Sequence, residues 1–463
     1  MESKRPTPQP ADESIPVTTR ALPHSFGSAA RFAKLLGHHP QLMVNPIPLR
    51  FQVRAIIAIF TLLGILFASW VSRLPAIKIE LGASTSQVGL LLFGLAAGTI
   101  GGLMIARRIT HRLGTQRSLA WSILIASTLI ILLGLATSWG NIPLVCILLI
   151  FYGASLSCTD VTMNVEGARI ERDLNRTFLP LLHAFYSLGN VVGAGIGWFV
   201  GVQGIGVFAH FVIIALIAIV IIVFAVPDLG SPTAESSPST VAKAPAQTSE
   251  SRTEHATTIP AGHKTQLRRD YSLWMIALLV MFTAFSEGAG NDWIALAAFE
   301  GHALEQANSS LIYATFVGAM MVGRLAGGPL VDLFGRAMAL YGLTAVGIAG
   351  IALFILATED VYIYVGAGLW GLGVSLGFPL GISAAANHPT DSAQRVSMVS
   401  VFGYAAMLSG PPLIGFVGHD FGLLGALWSA AGALLVALAF ISSVKERRRI
   451  REEVTVPSAS ESD

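Results

Sequence analysis

Between Arg54 and Val444 the chain is built from twelve apolar stretches, each of about 20 residues, the length a helix needs to cross a bilayer core. They cover 54–76, 86–106, 117–137, 142–166, 178–200, 205–226, 271–297, 308–331, 337–357, 361–386, 395–416 and 423–444. In lipid every backbone N–H and C=O must be satisfied internally, so stretches of this length are read as helices. The fold class is therefore all-α and polytopic, with twelve transmembrane helices. Composition agrees, at 53% hydrophobic against 12% charged residues and a mean hydropathy of +0.66.

The same reading excludes several classes. A net charge of +2 over 463 residues, with basic residues in short clusters, offers no nucleic-acid face. Cys146 and Cys158 both lie in apolar runs and suggest neither a disulfide framework nor a metal site. No phosphate-loop string occurs, so ATP is not expected as the driving force, and no cofactor is implied. GVSLG at Gly373–Gly377 has the esterase spacing but lies inside a spanning stretch, where the required strand-to-helix turn cannot form. No catalytic cluster points to an enzyme.

Five regions follow from the pattern. Residues 1–50 form a polar N-terminal tail expected to be disordered, without an apolar block of signal-peptide length. Residues 51–226 and 271–444 each hold six helices, 227–270 is a Pro-, Ser-, Thr- and Ala-rich linker, and 445–463 is a short tail. With the N-terminus inside, only Arg73 and Lys78 of the 29 Lys and Arg residues fall outside, and Arg324 falls within the membrane. That bias predicts cytoplasmic termini.

The halves also echo each other. One fixed shift of the chain lays LGTQR (Leu113–Arg117) on FGR (Phe334–Arg336), and the fifth and eleventh stretches both open on an arginine, Arg176 and Arg395. Two parallel repeats joined by a long loop is an arrangement of alternating-access carriers. GPLVDLFGR (Gly328–Arg336) resembles the G-x-x-x-D-x-x-G-R turn of the major facilitator superfamily, and the resemblance spans about 50–445. The first-half turn, RITHRLGTQR, has His111 where that family usually has Asp. SRLPAIK at Ser72, DVTMNVEG at Asp160, EGAGNDW at Glu287 and GPPLIG at Gly410 are similar to a bacterial inner-membrane branch near the fucose-type sugar permeases. SLGNVVGAGIG at Ser187 lacks the proline of many drug antiporters.

Candidate site residues fall into three groups. Asp160 lies inside a spanning stretch, where an acid costs about 2.5 to 3.5 kcal/mol and needs a partner or a task. Asn164 follows it one turn on, and His183, Tyr186 and Asn190 share one face of the next helix. These five are the proton-coupling and cavity candidates, with His183 as partner or relay for Asp160. Arg73 is a candidate outer gate with Glu287, Asn291 and Asp292, because the resemblance implies that these helix ends meet. Gly328, Asp332, Gly335 and Arg336, with Arg324 two turns deeper, form a cytoplasmic conformational motif. There Asp332 is expected to satisfy the helix start near Thr177, and Arg324 to reach toward Asp332 or the interface. Trp370, Phe378 and Tyr404 are cavity-lining candidates.

These features predict a monomeric secondary transporter in the inner (cytoplasmic) membrane, moving a small polar solute by alternating access and coupled to protons. Proton-driven efflux of a drug or metabolite, and a transporter-like sensor that does not translocate, are the alternatives.

Overall fold

A computed structural model describes residues 47–176, 178–229, 270–387 and 392–444. The tails at 1–46 and 445–463 and most of the linker lie outside the described residues. The helices are α1 (Leu49–Ser72), α2 (Leu74–Leu81), α3 (Thr85–Leu113), α4 (Thr115–Ser138), α5 (Ile142–Leu174), α6 (Leu179–Val202) and α7 (Val207–Ala225), then α8 (Tyr271–Gly301), α9 (Gln306–Phe334), α10 (Arg336–Leu356), α11 (Asp360–Val374), α12 (Gly377–Ala386), α13 (Ser392–Phe421) and α14 (Leu423–Leu438). Among the described residues, 11 helical stretches are long and apolar enough to cross a membrane, α11 with α12 counting as one. The shorter α14, followed by the 3-10 turn Ile441–Val444, completes the twelve-helix arrangement.

Two spans are broken where one helix was expected. The first stops at Ser72, and Pro75 stands in the first turn of α2, where its missing N–H costs no helical bond. The tenth breaks at Ser375 and Leu376, between α11 and α12.

The repeat is visible in the backbone. Gly114 (φ 76, ψ 164) separates α3 from α4, and Gly335 (φ 77, ψ 159) separates α9 from α10. Both sit in the left-handed range that favours glycine, at the positions the sequence shift aligns.

Within the first half α6 packs along α1 through its glycine stripe. A Cβ at Gly189 would stand 2.1 Å from the Thr61 carbonyl oxygen, and one at Gly193 2.8 Å from that of Ile65. The small-residue spacing lets the two backbones touch. In the second half α8 lies against α13 and α14, and α9 against α11.

The halves meet chiefly through α6 with α9 and α3 with α13. Gly89 faces Pro411 and Gly415, and Gly201 faces Ala307. Ser310 Oγ donates to the Ser72 carbonyl at 2.7 Å, and Lys78 pairs with Glu300. Among the described residues, every hydrogen bond joining the halves lies at this one end, opposite the Gly114 and Gly335 turns.

Candidate functional site

The α8 helix carries Glu287 near its midpoint, with a side chain only 8% exposed. Arg324 of α9 donates through Nη2 to Glu287 Oε1 at 2.6 Å, and its Nε faces the Ser375 carbonyl at 3.5 Å. That carbonyl belongs to the break between α11 and α12, where the helical ladder is interrupted. Gly323 permits the approach, since a Cβ there would lie 2.3 Å from Ser375 Oγ.

This pairing departs from two sequence expectations. Arg324 does not turn to Asp332, which is two helical turns, about 12 Å, along the same helix. Glu287 does not meet Arg73. Arg73 is itself buried, at 5% exposure, and donates through Nη2 to the Ile205 carbonyl at 2.7 Å. Asn291 donates to the Glu287 carbonyl at 3.1 Å, within its own helix. Asp292 has no hydrogen bond or ion pair among the described residues, and its electrostatic neighbour is Tyr313 of α9. The halves are fastened instead by Lys78 on Glu300, with Thr85 as a further partner of Lys78 at 2.8 Å. The short α2 helix that carries Lys78 was not foreseen, so neither was its reach.

On α5, Asn164 Nδ2 donates to Asp160 Oδ1 at 3.2 Å and to the Asp160 carbonyl at 2.9 Å. His183 makes no hydrogen bond to Asp160. Its ring stands edge-on to Phe60 at 5.6 Å, and its charged neighbour is Arg324, across the boundary between the halves. Tyr186 is the meeting point, interacting electrostatically with Asp160, Arg324 and Glu287. Asn190 donates to the Tyr186 carbonyl at 3.2 Å, while its Oδ1 is buried without a partner. From the second half, Tyr404 of α13 comes within electrostatic range of Asp160, and the Tyr313 hydroxyl is fully buried with no partner.

The other two aromatic candidates differ in burial, Trp370 being enclosed and Phe378 half-buried. Trp370 is fully buried against Phe316 and Phe354 and donates to Ser286 Oγ at 3.3 Å. Phe378 packs beside Gly403.

At the end opposite the closure, Gly328 has open space around it and Asp332 is exposed, with no ion pair among the described residues. Arg336 reaches the Asn387 side-chain oxygen at 2.7 Å through both Nη1 and Nη2 when that amide is turned to accept. Thr177 lies outside the described residues. The start of α6 is satisfied by Glu171 rather than by Asp332. Glu171 Oε2 accepts from the Phe178 and Leu179 N–H groups at 2.6 and 2.7 Å, a carboxylate at the positive end of a helix. Nearby, Arg169 ties Glu166, Asp173 (2.7 Å) and Gln52 of α1 together. Sequence reasoning passed over this cluster, although Glu166, Arg169 and Asp173 stand at i, i+3 and i+7, a spacing that puts them on one face. Among the described residues no group of three His, Cys, Asp or Glu could hold a metal.

Comparisons with known proteins agree with this architecture. Residues 176–389 and 288–460 match the Major Facilitator Superfamily. An uncharacterised transporter of Sinorhizobium fredii is 28% identical over 368 residues, covering 79% of this chain and 90% of that protein. Among solved structures, a variant of the nucleoside transporter NupG shares the fold with a TM-score of 0.68 at 12% identity, over 85% of this chain and all of that one (100%). The E. coli fucose:proton symporter FucP does so at 0.55 and 15% identity, over 87% and 100%. With its paired repeats, helical spans and family match, the chain belongs to the Major Facilitator Superfamily and is a multi-pass secondary transporter.

Proposed function

We propose that this carrier moves a small polar solute by proton-coupled alternating access, through the seam where Asp160, His183 and Tyr186 of the first half face Glu287 and Arg324 of the second. The observation that carries the reading is this placement. Each half contributes ionisable side chains to one mid-membrane seam, and among the described residues the hydrogen bonds between the halves lie at the far end. Intramembrane ionisable groups of this kind mark ion and substrate pathways.

With cytoplasmic termini, as the distribution of Lys and Arg favours, the fastened end is the outer one and the conformation faces inward. The protein then lies in the cytoplasmic membrane, with the 1–50 and 445–463 tails and the 227–270 linker on the inner side, acting as a monomer. Asp160 is the coupling acid. Among the described residues its side chain bonds only to a neutral amide, so a proton can come and go without breaking an ion pair. FucP and other proton symporters of the same fold support the coupling by analogy alone.

Proteoliposomes loaded by an imposed inward proton gradient, from a mixture of bacterial metabolites read by mass spectrometry, test this. The expected result is gradient-dependent accumulation of at least one polar metabolite, lost in Asp160→Asn. Accumulation that ignores the gradient overturns the coupling. Failure of any metabolite to accumulate, with binding retained, favours the non-translocating sensor.

A further inference from the structure

The charges in the seam do not balance. Asp160, Glu287 and Asp292 are carboxyl groups, and among the described residues the cation that pairs within this group is Arg324. Arg324 is committed to Glu287 at 2.6 Å. His183 packs edge-on to Phe60 and forms no ion pair with either aspartate among the described residues. The remaining titratable groups facing the cluster are Tyr186, Tyr313 and Tyr404, all neutral when protonated. Asp160 and Asp292 are thus left without a counter-ion, one on each half.

A second observation is independent of charge. Asn190 Oδ1 is buried without a hydrogen bond, its amide nitrogen being used by the Tyr186 carbonyl. The Tyr313 hydroxyl is 0% exposed and also unpartnered, next to Asp292. A buried polar group without a partner costs about 1 to 3 kcal/mol, so a ligand that supplies the missing bonds gains what the empty site lacks. What these atoms want is largely donors. The Asn190 oxygen and the Asp292 carboxylate can only accept when the acid is ionised, and a tyrosine oxygen can accept as well as donate.

We propose that the transported solute is a small organic cation, carrying a protonated amine that donates to this acceptor cluster with Asp292 as its counter-ion. A polyol would also bring donors, but it would supply no counter-ion for Asp292, whose carboxyl would then have to stay protonated. An anion would meet the carboxyl groups directly. Tyr186, Tyr313 and Tyr404 add aromatic faces suited to a cation. This inference rests on the reading of the seam as the transport cavity.

The test reads thermal unfolding of the full-length protein in detergent, by tryptophan fluorescence, with two scaffolds in three charge states. These are D-glucosamine, D-glucose and D-glucuronate, and tyramine, tyrosol and 4-hydroxyphenylacetate. At least one amine is expected to raise the midpoint by about 3 to 5 °C at about a hundred times its Kd, with its neutral and acidic counterparts silent. Asp292→Asn should abolish that shift. Tyr313→Phe, which keeps the charge and removes an unpartnered hydroxyl, should leave the empty protein folded and weaken the amine about tenfold. It serves in place of Asp292→Asn should that variant fail to fold. The inference is overturned if neither amine shifts the protein, or if a neutral or acidic member shifts it as much. A shift by a neutral ring alone would remove the cation while leaving proton-coupled transport intact, whereas absence of gradient-driven accumulation in liposomes would remove the transport reading itself.

Discussion

Asp160 and Glu287 pose the same physical problem, an acid inside a membrane-spanning bundle, and the protein answers it in two ways. Glu287 is given a cation from the neighbouring helix, Arg324 at 2.6 Å. Asp160 is given an amide from its own helix, Asn164 at 3.2 Å. The first is a fixed charge pair that holds α8 to α9. The second leaves an acid whose protonation alters no ion pair. The contrast distinguishes an acid held in an ion pair from one that can gain or lose a proton with no ion pair to break.

The largest effect should come from breaking the pair. Arg324→Met leaves Glu287 buried without a counter-ion; the Arg324 side chain is itself 35% exposed, so solvent already screens part of the pair, and the loss should be about 1 to 3 kcal/mol. The thermal midpoint in detergent should fall by several degrees, and the double variant Glu287→Gln with Arg324→Met should recover most of the loss. A double variant as unstable as the single one would mean that Arg324 acts through packing instead.

Asp160→Asn should do the reverse. The neutral amide keeps a neighbour in Asn164 and avoids the cost of an intramembrane charge, so the midpoint should change by less than about 1 kcal/mol equivalent. Gradient-driven accumulation should vanish all the same. Stability lost to the same degree as in Arg324→Met would erase the distinction between the two acids.

Much of this site was legible in the sequence, residue by residue, and little of it pair by pair. Spacing placed Asn164 one turn from Asp160, and His183, Tyr186 and Asn190 on one face, because i, i+3 and i+4 neighbours follow from helix geometry alone. The turn glycines Gly114 and Gly335 could be aligned because a left-handed residue has few alternatives to glycine. Partners between helices depend on how each helix is rotated and how far it extends, and local pattern carries neither. So Arg73 went to Ile205 rather than Glu287, Arg324 to Glu287 rather than Asp332, and His183 to the side of Arg324 rather than to Asp160. Glu171 took the helix cap expected of Asp332 because α5 runs on to Leu174, well past the stretch that hydrophobicity marks.

A second ion pair, outside the spans, extends the comparison to a wetter setting. Asp270, ahead of α8, pairs with Arg395 of α13 and caps Leu273 N–H at 3.3 Å. Partial burial would raise its carboxyl, but the Arg395 hydrogen bond and the Leu273 N–H outweigh that and hold it below its usual range. A depressed folded value means that the pair stabilises at neutral pH and that the contribution is lost as pH falls through that value, below about pH 4. Asp270→Asn should cost about 1 to 2 kcal/mol at pH 7 and be less sensitive to acid than the parent in that window, read as the midpoint against pH. Equal acid sensitivity would place the titrating group elsewhere.

The smallest effect belongs to the fastened end. Lys78 and Glu300 join α2 to α8 with side chains 14% and 26% exposed, so solvent weakens their attraction and the pair is worth about 0.5 kcal/mol. That is too little to hold the fold and enough to bias two conformations of similar energy about twofold. In a background without Cys146 and Cys158, a cysteine replacing Ala307, which faces Gly201 across the closure, reports its opening through maleimide labelling. Lys78→Gln should raise that labelling rate about twofold while leaving the thermal midpoint unchanged. A fall in the midpoint without faster labelling would make the pair a brace within one conformation, and the seam would then be held shut by the glycine contacts of α3 with α13 and α6 with α9 alone.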